Sequence, residues 1–106
     1  MYSFVGGGWS NATSGQAATV AGGAYDSAVG YFSTVAGGMN NTTGADFATV
    51  AGGNYNDATG QFSSVGGGNF NDATGQFAVV GGGDYNLASG VGSVVAGGRG
   101  DTAVAP

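Results

Sequence analysis

Val5, Val20, Val35, Val50, Val65, Val80 and Val95 stand 15 residues apart without exception, and each is followed by Ala or Gly and then Gly-Gly. A period this strict means that one small structural unit is repeated, and that neighbouring units must stack to bury an apolar face. With each Val as position 1, residues 1–106 read as a single repeat domain of seven units starting at those valines. Tyr2-Ser3-Phe4 closes a preceding unit, and the unit from Val95 is shortened.

Two further columns mark turns. Position 7 is Asn11, Asp26, Asn41, Asn56, Asn71, Asn86 and Asp101, an Asn or Asp in every unit. Position 11 is Gly15, Gly30, Gly60, Gly75 and Gly90, with Ala45 in the third unit, where Gly44 comes one residue early. Gly permits positive φ at such sites, and a short Asx side chain can bond the backbone of its own turn. Between the turns lie two segments, roughly positions 12 to 2 and 6 to 10, each long enough for a strand of about 5 residues. Helix is disfavoured, because each interior Gly costs about 1 kcal/mol relative to Ala, whereas Val, Thr and Phe suit a strand.

The first segment alternates. Position 14 pairs with position 1 on one face, as in Ala18-Val20, Ser33-Val35 and Ala48-Val50. The opposite face carries position 13 (Tyr2, Phe32, Phe47, Phe62, Phe77) and position 15 (Phe4, Thr19, Thr34, Thr49, Ser64, Val79, Val94). A 15-residue coil encloses little volume, so Val at position 1 against Ala or Thr at position 9 fills it. The Phe column is thereby left outside. An exposed apolar stripe of this kind marks an interface, so Phe32, Phe47, Phe62 and Phe77 are expected to bury themselves between copies of the chain. Coils spaced by about 4.8 Å would make a stack of roughly 30 Å.

Composition removes several functions. The chain has 25 Gly, one Leu, no Ile, no His, no Cys and one basic residue, Arg99, against six Asp. That inventory offers little for nucleophilic, acid/base or zinc chemistry, so no catalytic, cofactor or metal site is expected. A net charge of −5 argues against nucleic acid, whose binding needs clustered Lys or Arg. No apolar run reaches the ~20 residues of a membrane span, and the N-terminal residues lack a signal-peptide pattern.

The stretches Ser33-Thr34-Val35-Ala36-Gly37-Gly38 and Asn56-Asp57-Ala58-Thr59-Gly60 resemble the head repeats of trimeric autotransporter adhesins. Tyr2-Ser3-Phe4-Val5-Gly6-Gly7-Gly8 and Asn86-Leu87-Ala88-Ser89-Gly90 are similar to repeats of phage tail fibres. The resemblance implies an all-β, left-handed parallel β-roll, a β-solenoid, assembled as an intertwined or side-by-side homotrimer. It further implies attachment or a fibre shaft as the role, outside the cell, on a cell surface or on a virion. A self-assembling extracellular filament and an ice-binding β-solenoid are the alternatives, the latter suggested by the Thr19, Thr34, Thr49 series.

Trp9, Tyr25, Tyr31, Tyr55 and Tyr85 are the candidates for contact with a host-surface glycan or protein, since aromatics line such sites. The position-7 column is read as a structural amide ladder rather than a calcium site, because five of its seven members are neutral Asn and calcium favours carboxylates. Arg99-Gly100-Asp101 spells an integrin-type tripeptide, but Asp101 is simply the position-7 residue of its unit.

Overall fold

The computed structural model describes residues 2–104. The fourteen strands among the described residues are all two residues long and parallel, and they fall into two seven-stranded sheets that alternate along the chain. The valine sheet contains Phe4–Val5, Thr19–Val20, Thr34–Val35, Thr49–Val50, Ser64–Val65, Val79–Val80 and Val94–Val95. The alanine sheet contains Ala12–Thr13, Ser27–Ala28, Thr42–Thr43, Asp57–Ala58, Asp72–Ala73, Leu87–Ala88 and Thr102–Ala103. Every pairing joins residues 15 apart, such as Thr34↔Thr49 and Asp57↔Asp72. The chain is therefore an all-β solenoid of about seven coils, measuring 35 × 22 × 12 Å.

Three features of the coil depart from the expected segments. Strands cover only positions 15–1 and 8–9, and single bridges at position 5, running from Trp9 through Met39 to Arg99, form a third rung. The segments are cut short because positions 6 and 13 are left-handed corners: Tyr25, Tyr55, Phe70 and Tyr85 have φ of 55–56°, and Phe32, Phe47, Phe62 and Phe77 have φ of 56–60°. Position 13 thus belongs to a turn and not to the strand that follows it. Positive φ is absent from the position-11 glycines and occurs instead at position 4, as in Gly38 (95°) and Gly53 (89°). At position 11 Gly is required for space, since a Cβ on Gly60 would land on the carbonyl of Gly75 in the next coil.

These corners also show why the unit has an odd length. Positions 6 to 9 and 13 to 1 follow one recipe: a left-handed corner, a buried small or Asx residue, an outward strand residue, an inward strand residue. Each coil is two such half-turns, offset by seven and then eight residues.

The interior is a set of columns. Val20, Val35, Val50, Val65 and Val80 face Ala28, Ala58, Ala73 and Ala88, with Ala18, Ala48 and Ala78 beside them, all fully buried. Small side chains suffice because two sheets this close leave room for little else, and interiors pack to crystal-like density. Ser33 alternates with the alanines of its column; its hydroxyl donates to the Gly30 carbonyl (2.7 Å) and accepts from Thr43 Oγ1 (2.9 Å).

Ser63 and Ser93 are equally buried, yet their hydroxyls have no partner. Leaving such a group unpaired costs about 1–3 kcal/mol. Ser63→Ala is therefore expected to raise the urea midpoint, with a gain of about 1 kcal/mol, whereas Ser33→Ala lowers it. Equal losses for the two variants would show that the Ser63 hydroxyl is paired in solution.

Candidate functional site: two aromatic ladders and an amide ladder

The position-7 side chains run up the inside of one corner as a continuous hydrogen-bonded column. Asn56 shows the pattern. Its Oδ1 accepts from the Asn71 backbone N–H (3.0 Å), and its Nδ2 donates to the carbonyls of Gly52 in its own coil (2.9 Å) and Gly68 in the next (2.9 Å). Asn11, Asn41, Asn71 and Asn86 repeat all three bonds. The column gives a partner to the position-7 N–H and to the carbonyl of the first Gly of each Gly-Gly pair, and adds a second donor to the carbonyl of the second Gly, which also accepts a backbone N–H, as from Asn54 to Gly68 (2.9 Å).

Asp26 breaks the pattern chemically. Its Oδ1 accepts from the Asn41 N–H (2.9 Å), but Oδ2 stands where the other units have a donor, and it is buried without a partner. Burial pushes its carboxyl above the ordinary value, with hydrogen bonding from Asn41 pulling the other way. Asp101, the last member, is exposed.

The outward residues form two aromatic columns, one at each left-handed corner. At position 13, Phe32, Phe47, Phe62 and Phe77 stack with centroids 4.9–5.3 Å apart and planes within 10°. At position 6, Tyr55, Phe70 and Tyr85 stack at 4.8–4.9 Å. Rings this close and parallel cover each other's faces, so interior members offer edges and hydroxyls to solvent. Phe77 and Tyr85 each keep one free face, because the next residues in their columns are Gly92 and Gly100, which keep the left-handed backbone (φ 70° and 69°) with open space beside it.

The structure divides the five candidate contact aromatics among three columns. Tyr25, Tyr55 and Tyr85 share position 6, with Asn40 interrupting the column between the first two. Trp9 sits on the position-5 rung and Tyr31 at position 12, where its N–H donates to Asp46 Oδ1 (3.0 Å). Phe70 completes the second ladder and is not among the residues that the sequence singles out; its place at position 6, between tyrosines 15 residues away on either side, is the signal for it.

Asp57 and Asp72 are direct neighbours on the outer face of the alanine sheet. Partial burial raises both carboxyls, and for Asp57 the adjacent Asp72 charge adds to the rise. Among the described residues no group of three or more His, Cys, Asp or Glu side chains is placed to hold a metal ion. Arg99, Gly100 and Asp101 occupy ordinary register positions, with Arg99 bridging to Asp84 and the Gly100 N–H donating to the Asp84 carbonyl (2.9 Å). No protein-family model matches the chain, and no curated protein matches it at a significant level.

Proposed function

We propose that this chain is a non-enzymatic structural and adhesive segment of an extracellular fibre, a trimeric shaft or head of the kind found in tail fibres and surface adhesins. The observation that carries this reading is the pair of exposed aromatic ladders held at left-handed corners. A non-glycine residue in this region costs on the order of 1 kcal/mol, and Gly or Asn would occupy it at lower cost. Eight aromatic residues sit there nonetheless, all substantially exposed. Stacking returns about 0.5–1.5 kcal/mol per pair, roughly offsetting the backbone strain. The ladders therefore contribute little net stability to one chain, and their use lies at a surface between chains or against a ligand. Repetition at every coil gives multivalency to contacts that are weak singly.

Light scattering on the purified chain and on Phe62→Gly/Phe77→Gly tests the proposal. The expected result is a mass near three chains that falls to one in the variant, with the circular dichroism spectrum unchanged because Gly relieves the corners it enters. A single-chain mass for the unaltered protein would sink the trimer. Glycan-array binding then separates head from shaft, a clean negative leaving the shaft.

An ice-binding solenoid is the second reading. The Thr19, Thr34 and Thr49 column, in strict 15-residue register, favours it, and absence of thermal hysteresis would dismiss it.

A further inference from the structure

We propose that copies of this chain meet through the outer face of the valine sheet, with the phenylalanine ridge of one copy lying in a small-residue furrow of the next. This rests on the self-association reading above and names the surface that performs it.

The face has a ridge and a furrow side by side. The ridge is Phe32, Phe47, Phe62 and Phe77 at position 13. The furrow is formed by positions 15 and 2, where half-buried Thr34, Thr49 and Ser64 stand beside the exposed methyls of Ala36 and Ala51 and the bare backbone of Gly66. Position 3, the next along, is Gly in all seven units. A surface carrying both shapes can present its ridge to one neighbour and its furrow to another, a heterologous contact that closes into a ring when the rotation between neighbours completes a circle.

Charge separates this face from the rest of the molecule. All six Asp and Arg99 occupy positions 5, 7, 8 and 12, so none lies in the ridge or furrow columns. The opposite face carries the neighbouring Asp57 and Asp72, whose carboxyls are raised by desolvation even in a single chain. Covering that side would bury carboxylates without counter-charges, which is strongly unfavourable. The ridge and furrow columns hold no charge themselves, and of the six Asp only Asp46, at position 12, stands next to the ridge in sequence, even though each copy carries −5.

Because ring spacing in the ridge follows the coil spacing, a second copy with the same repeat meets every coil in phase.

The test is solution mass by light scattering on the full chain, with circular dichroism confirming the fold of each variant. Ser64→Asp and Ala51→Asp place a carboxylate in the furrow at two different positions, and Thr74→Asp adds the same charge beside the alanine sheet. The expected result is a multi-chain mass for the unaltered protein and for Thr74→Asp, and a fall to the mass of one chain for a folded furrow variant. A multi-chain mass that survives both furrow substitutions would overturn this choice of face while leaving self-association intact. A single-chain mass for the unaltered protein would remove both.

Discussion

Gly53→Ala is expected to cost about 4 kcal/mol or more, lowering the thermal midpoint by on the order of 20 °C, while Gly52→Ala leaves it within about 0.5 kcal/mol of the starting value. The two residues are adjacent, identical and in the same turn, yet the repeat uses them differently. Gly52 has nothing within 4 Å of a Cβ and an ordinary backbone. Gly53 has φ 89°, and its Cβ would strike the carbonyl oxygen of Gly68 and sit 2.6 Å from Asn56 Nδ2. Backbone strain, a clash that would force the coils apart and disruption of the amide ladder coincide there. Displacing the Asn56 amide leaves the Gly52 carbonyl unpaired, which adds about 1–3 kcal/mol, while the Gly68 carbonyl keeps the Asn54 N–H. Thermal unfolding of the two variants side by side checks this, and similar midpoints would mean that the coils are free to spread.

Asp26→Asn should stabilise the chain at neutral pH by about 1–3 kcal/mol, because it supplies the donor that the Gly22 carbonyl lacks, adds a second donor to the Gly38 carbonyl, which holds only the Ala24 N–H, and keeps the shape of the side chain. The converse, Asn56→Asp, should destabilise by a similar amount. The pH dependence follows from the same geometry. Asp26, Asp57 and Asp72 all have carboxyls raised above the ordinary 3.8. A raised value in the folded state means that the native chain holds protons more tightly than the unfolded one. The unfolded state releases them first as pH climbs, so stability is greatest below about pH 4 and declines as pH rises through the folded-state values. This is the reverse of ordinary acid denaturation. Urea unfolding at pH 4, 5.5 and 7 should give falling midpoints, and Asp26→Asn should flatten the slope. A midpoint that rises across that range would show that the three carboxyls are not protonated in the fold.

What was legible in the sequence and what was not differ in kind. A 15-residue period read along a chain names its columns, so the Val–Ala interior, the position-7 amides and an external Phe rank could all be read from spacing. Conformation within a coil could not. Phe and Tyr are strand formers by propensity, and nothing local announces that they will occupy a region normally left to Gly and Asn. Propensity consequently puts position 13 inside a strand. The second ladder is hidden for the same reason: Phe70 shares position 6 with Tyr55 and Tyr85, but a strand segment over positions 6 to 10 offers the tyrosines as separate outward contacts and does not suggest a stacked corner column. Glycines raise a related difficulty. Those at positions 4 and 11 look alike in sequence, while the first supplies an unusual φ and the second supplies room for a neighbouring coil, a distinction that only the distance between coils reveals.

The hydrogen bonds that join one coil to the next run along the long axis of the stack. Tension applied to the chain ends therefore does not shear two sheets past one another; it peels coils away in turn, each held only by the bonds across a single gap. One coil released contains 15 residues, which extend to about 50 Å when pulled straight, so the molecule yields in large increments of length at modest load. A lone solenoid is in this sense stiff against bending and compliant to being unravelled. Side-by-side copies change that response, because a coil clasped laterally by its neighbours cannot peel without first leaving them.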